Sequence, residues 1–176
     1  MRVIVTGATS FIGSHAVQTL INQGFEVCAL IRPNSAGKKN LEHMIIKKEL
    51  LEIIECELSG LKELAVNAEK LSKIGQKWSH NLGRADYWLH LGWDGSGSDN
   101  RKLADIQSMN AVYALDALET AAAAHCKRFL FCGSQAEYGV RNTTMRETDE
   151  LHPLSEYGKA KAKVGSENVV DATIGS

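Results

Sequence analysis

Short, unbroken apolar runs alternate in this chain with stretches whose apolar residues return every three or four positions. The runs have the length of strands buried on both faces; the stretches have helical periodicity. The first run covers residues 2–6. A helix over 11–23 follows, with Ile12, Ala16 and Leu20 on one face and Gly24 as its stop. A second strand over 25–31 (F-E-V-C-A-L-I) ends at Arg32-Pro33-Asn34. Next come a short helix over 37–44 and a weaker third strand over 50–55. Leu61, Leu64, Ala65, Ala68 and Leu71 form a stripe that predicts a helix over 60–74, and the polar segment 75–83 predicts a loop. The fourth strand covers 85–91. A long helix over 101–125 is apolar on more than one face, as a helix is that meets a sheet on one side and something else on the other. The fifth strand covers 128–132. Residues 133–154 predict mostly loop, and a last helix starts near Ser155, an N-cap after Pro153.

Strand and helix alternating in this way predict an α/β fold: a Rossmann-type doubly wound parallel sheet of five strands with helices on both faces. The length of 176 residues fits one domain, a dinucleotide-binding domain over 1–176. Ligands of such sheets sit beyond the carboxyl ends of the strands, where the strand order reverses. The polar, glycine-rich loops of this chain all fall at strand carboxyl ends, including G-W-D-G-S-G-S-D-N over 92–100.

Composition narrows the partners. A formal net charge of -1 argues against a nucleic-acid surface or a basic membrane face. No apolar run approaches the roughly 20 residues of a membrane span. Met1 runs straight into the first strand with no secretory leader, so a cytoplasmic location is expected. Cys28, Cys56, Cys126 and Cys132 show no C-x-x-C spacing and read as reduced thiols; the scattered histidines predict no metal site.

Candidate chemistry begins at the first strand. In R-V-I-V-T-G-A-T-S-F-I-G, Gly7 allows a tight turn and Gly13 lets the helix pack closely. Strand, glycine turn and helix present backbone N–H groups and a positive helix end to a phosphate. Thr9, Ser10, Phe11 and Ile12 complete the candidate cofactor loop, with Ser10 where a middle glycine would let a pyrophosphate approach. At the end of the second strand an acidic residue selects a free ribose 2′-hydroxyl and a cation accommodates a 2′-phosphate. Arg32 stands there, with no Asp or Glu from 27 to 41, so NADP is preferred over NAD. A solvated residue at a strand end is the alternative for Arg32. Glu57 and Leu58 are candidates for the adenine edge, or in Glu57's case a surface charge.

A second cluster lies at the last helix. Tyr157 and Lys161 are four residues apart and share a face. A phenol is a poor acid or base at neutral pH, and a nearby ammonium favours the phenolate, which makes the pair a usable general acid/base. Ser134, directly after the fifth strand, can hold a substrate oxygen or, alternatively, only cap a turn.

T-G-A-T-S-F-I-G, H-L-G-W after the fourth strand, Asn110 in the long helix, G-S-Q-A-E-Y-G and Y-G-K-A-K together resemble the NAD-dependent epimerase/dehydratase family, the extended short-chain dehydrogenase/reductases acting mostly on nucleotide sugars. The resemblance covers essentially the whole chain. It implies Tyr157 as catalytic acid/base, Lys161 as the residue that binds the nicotinamide ribose and tunes Tyr157, and Ser134 as the holder of the substrate oxygen. Leu91, Gly92 and Trp93 would line the cofactor, with Asn110 also in the cofactor set. The implied reaction is hydride transfer between a sugar carbon and the nicotinamide.

Three departures stand out. Ser10 replaces a glycine, and Trp93 sits where a small residue is usual. The sequence also ends at Ser176, short of the further strand and smaller substrate domain that the resemblance implies, so that domain is expected to be absent from this chain. Related 4,6-dehydratases place an Asp-Glu pair after the catalytic serine or threonine; Gln135 and Ala136 stand here, which leaves an epimerase or a 4-ketoreductase. The alternative is a catalytically inactive module that still binds NAD(P). A homodimer through helices over about 101–125 and 156–172 is implied, and the fifth strand is expected to be an exposed sheet edge.

Overall fold

The computed structural model describes residues 1–66 and 85–166. Five strands are all parallel: β1 (Arg2–Thr6), β2 (Glu26–Ile31), β3 (Leu51–Glu55), β4 (Tyr87–His90) and β5 (Arg128–Phe131). Their order across the sheet is β3-β2-β1-β4-β5, so the winding reverses between β1 and β4. The helices are α1 (Phe11–Asn22), α2 (Lys38–Met44), α3 (Leu61–Val66), α4 (Ala104–Ala123) and α5 (Glu156–Ser166). The later part of the helix expected over 60–74, the loop over 75–83 and the last helix beyond 166 lie outside the described residues.

The two-residue period of a strand sends neighbouring side chains to opposite faces. Val3, Val5, Val27, Ala29 and Ile31 pack with Val17 and Ile21 of α1 and Leu41 of α2. Ile4, Cys28, Leu30, Ile54, Trp88 and Phe129 pack on the other face with Leu61, Val164 and the α4 stripe Ala111, Ala114, Ala117 and Ala121. The pairing keeps this parity, for Val3 lies opposite Val27 and Tyr87, and Ile4 opposite Cys28 and Trp88. A slip of one residue would turn either set to the wrong face.

Element ends differ from the sequence reading by up to three residues. The long helix starts at Ala104 because Asn100–Lys102 form a separate 3-10 turn before it. The loop after β5 contains a 3-10 turn at Gln135–Glu137, against which α5 packs. Among the described residues β5 pairs with β4 alone, at the edge of the sheet, and Leu130 is 49% exposed. On α4, Met109 and Val112 remain exposed beside the buried alanine stripe. No helix among the described residues is long and apolar enough to cross a membrane.

Candidate functional site

A cleft of about 610 Å³ opens over the carboxyl ends of the strands at the β1/β4 reversal. Its floor is the loop from Gly7 to the first turn of α1. Gly7 has φ +67, and a Cβ there would come within 2.8 Å of Gly92 N and the Leu91 carbonyl. Gly13 does not line the cleft; a Cβ on it would stand 2.1 Å from Gly7 O, so its smallness closes the loop onto the helix rather than the helix onto the strands. The first turn of a helix leaves its N–H groups without intrahelical partners. Ser10 Oγ accepts from Gly13 N at 3.0 Å as the N-cap. Ser10 has φ −70 and ψ 167, an extended conformation open to any residue, so no glycine is needed there for the backbone. Its hydroxyl proton remains available to an anion.

The other walls come from more distant segments. Thr9 Oγ1 meets Ser35 Oγ at 2.9 Å, which fastens the first loop to the loop after β2. Arg32 reaches over one end of the cleft, 67% exposed, with Nη1 3.8 Å from Asp94 Oδ1. Glu57 lies apart from this cleft, in an adjoining depression that also takes in Arg32 and Asp94. Leu58, Leu91, Gly92, Trp93, Tyr157 and Lys161 do line the cleft, as do Thr9, Ser10, Phe11 and Ile12.

Asn110 does not. It is buried, and its amide is spent on Asp94, accepting from Asp94 N and donating to Asp94 O, each at 2.8 Å. It braces the loop from behind. Ser134 also stands just outside the cleft. Its Oγ accepts from Ala136 N at 3.2 Å, and Glu137 accepts from Ser134 N, a reciprocal cap of the turn. The Ser134 hydroxyl keeps its own proton to donate.

At the far end Lys161 is only 5% exposed. Its Nζ donates to Cys132 O at 2.8 Å and lies 3.8 Å from the Trp93 ring centroid, 4.4 Å from that of Phe131 and 5.9 Å from that of Tyr157. Burial pushes the ammonium down to about 8, while Cys132 and Glu137 pull the other way. Burial raises the Glu137 carboxyl above its ordinary range, with the Ser134 N–H and Lys161 opposing. Trp93 meets Tyr157 edge-on at 5.9 Å, and the Arg101 guanidinium sits over the Tyr157 ring at 4.8 Å.

Behind these groups Thr6 Oγ1 accepts from Leu91 N and Gly92 N, both at 3.2 Å, and pairs with His90 Nδ1 at 2.9 Å. With both lone pairs used, the hydroxyl donates to the imidazole. Burial, reinforced by the charge of Lys161, pushes His90 down to about 3, so the ring is neutral. Sequence reasoning missed Ser35, Asp94, Cys132, Gln107 and Arg101. Ser35, Asp94 and Cys132 follow strand ends, a usable signal; nothing local marks Gln107 or Arg101.

The arrangement offers an anion seat at the α1 N-terminus, a cation at the β2 end, and a phenol beside a buried ammonium at the α5 end. Such a seat fits a dinucleotide, whose pyrophosphate suits the helix end. Among the described residues no group of His, Cys, Asp or Glu side chains gathers as a metal site.

Comparison with known proteins places the sequence and the fold. The model of the NAD dependent epimerase/dehydratase family matches residues 3–169. A UDP-glucose 4-epimerase of Pisum sativum is 25% identical over 164 residues, which are 91% of this chain and 44% of the relative. The GDP-mannose 4,6 dehydratase of Homo sapiens is 22% identical over 162 residues, 90% of this chain and 42% of that enzyme. The chain thus spans less than half the length of these curated relatives. Among solved structures, a UDP-glucose-4-epimerase from Stenotrophomonas maltophila with bound NAD and formylated UDP-arabinopyranose superposes with a TM-score of 0.75 at 20% identity, over 95% of this chain and 47% of that one, a likeness of fold.

Proposed function

The chain belongs to the NAD dependent epimerase/dehydratase family, and from that premise we propose that it serves an NAD(P)-dependent epimerase or oxidoreductase acting on a nucleotide sugar, with Tyr157 as the acid/base. The observation that carries this reading is the meeting of Tyr157 and the buried Lys161 in the same cleft as the glycine loop. A bound nicotinamide dinucleotide would supply hydride exchange. The chain's own residues do the rest. The α1 end and Ser10 bind phosphate, Lys161 holds a positive charge beside the phenol, and Tyr157 moves the proton of a sugar hydroxyl. Ser134 donates its free proton to the substrate oxygen. Gln135 and Ala136 carry neither acid nor base, which favours epimerisation or ketone reduction over elimination.

We infer NADP as the preferred cofactor from the exposed Arg32, which has a guanidinium to offer a 2′-phosphate. A homodimer through α4 and α5 fits the exposed Met109 and Val112 on α4; light scattering on the chain tests it, and a stable monomer would count against it. Titration of tryptophan fluorescence with NADPH and with NADH tests the cofactor reading: saturable binding is expected, tighter for NADPH, and binding of neither sinks it. Tyr157→Phe should abolish proton transfer in the enzyme and leave cofactor affinity nearly unchanged. Cofactor binding without turnover of any nucleotide sugar would reduce the chain to a binding module.

A further inference from the structure

The loop after β4 is held unusually firmly for a segment rich in glycine and serine. Trp93 Nε1–H donates to Gln107 Oε1 at 2.9 Å. Gln107 is 1% exposed and spends its amide donors on Gly95 O at 3.1 Å and Asn100 O at 3.0 Å. Asn110, one turn further along α4, takes both backbone groups of Asp94. Two α4 side chains therefore fix the ring that faces Lys161. A cation over an aromatic face is attracted by the negative quadrupole, most strongly over an indole and most of all away from water.

We infer that Trp93 is a positioning residue for Lys161: its ring, fastened from behind by Gln107, keeps the ammonium charged and facing Tyr157. This rests on the reading of Tyr157 and Lys161 as the proton-handling pair. Among the described residues the Lys161 ammonium has one carbonyl partner, Cys132 O, and two ring faces within 4.4 Å, those of Trp93 and Phe131. The charged or titratable groups around it are Cys132 at the end of β5, Glu137 in the 3-10 turn, neutral His90 on β4 and Tyr157 on α5, with Arg101 beyond the Tyr157 ring. Burial alone favours the neutral amine. The two ring faces offset that without adding a counter-charge that would lock the lysine in place.

The test uses the full chain without cofactor, so its failure is distinct from failure to bind NAD(P). Lysine side chains labelled with ¹⁵N and ¹³C are titrated by NMR, with Lys161 assigned through Lys161→Arg. The wild-type midpoint is expected near the value of about 8 set by burial. Trp93→Leu keeps the site apolar but removes the ring, and should lower the midpoint by about one pH unit; Trp93→Phe should fall between. A midpoint unmoved by Trp93→Leu overturns the proposal, as does a Trp93→Phe midpoint as low as that of Trp93→Leu. A merely structural tryptophan would lower Tm in both variants and leave the midpoint in place. If Trp93→Leu does not fold, the wild type still decides: its tryptophan emission should step with the Lys161 midpoint, a step absent from Trp93→Phe. No such step overturns the proposal.

Discussion

The two ends of the cleft are built from different materials. At the β1 and β2 end the polar groups are backbone N–H groups and small hydroxyls, those of Ser10, Thr9 and Ser35, with one exposed arginine. At the β4, β5 and α5 end the key group is a buried lysine among aromatic rings, next to a buried neutral histidine. An anion seat needs only aligned peptide dipoles, which a few consecutive residues provide. The proton handling proposed for the other end needs a charge in dry surroundings, which opposes stability and takes parts from several elements. Thr6 joins the two ends, since one hydroxyl from β1 holds the start of the β4 loop.

The sharpest way to break the first end alone is Gly13→Ala. The new Cβ would meet Gly7 O, a backbone atom that cannot swing away. A loss of about 3 kcal/mol in urea denaturation is expected, together with at least roughly tenfold weaker NADPH binding. Thr6→Val attacks the joint between the ends. Leu91 N–H keeps a backbone partner in Thr6 O, but Gly92 N–H and His90 Nδ1 lose theirs. About 2 kcal/mol of stability should be lost, by the same denaturation measurement, with little change in fold by circular dichroism.

Acid probes the second end. His90 has its folded value near 3, below the ordinary 6.5, so its neutral form is favoured in the folded chain. Its contribution is complete above 6.5 and is lost as pH falls from 6.5 toward 3, because the unfolded chain takes up a proton first. Stability should drop by up to about 1.4 kcal/mol per pH unit in that window. His90→Phe should flatten that slope in denaturation series between pH 7 and 4.5.

The same contrast explains what the sequence could disclose. The glycine loop, Arg32 and the Tyr157–Lys161 spacing are local patterns, and the strands were legible as unbroken apolar runs, but which face each of their residues takes was not, because Val3, Ile4 and Val5 are all apolar. Asn110 shows the limit. An asparagine in a helix carries no sign that its amide will meet the backbone of Asp94 sixteen residues earlier. Ser134 likewise carries no sign in the sequence that its hydroxyl will accept from Ala136 N while Glu137 accepts from its own N–H. The aromatic surroundings of Lys161 were hidden for the same reason: beyond Tyr157 on its own helix, Trp93 and Phe131 reach it only through the sheet order.

Arg32 gives the smallest effect on stability and the cleanest test of the first end. Its guanidinium is 67% exposed and 3.8 Å from Asp94, a surface pair worth about 0–1 kcal/mol. Arg32→Ala should therefore leave the denaturation midpoint almost unmoved. The pair is loose enough for a phosphate to compete with Asp94 for the guanidinium, and a charge-assisted hydrogen bond to phosphate is stronger than this contact. Arg32→Ala should then weaken NADPH binding by roughly tenfold and leave NADH binding within about twofold. Asp94→Asn should act in the opposite direction, tightening NADPH a few-fold by freeing the arginine, with the Asn110 bonds to its backbone intact. Equal losses for both cofactors in Arg32→Ala would mean that the arginine shapes the loop and does not read the 2′-position.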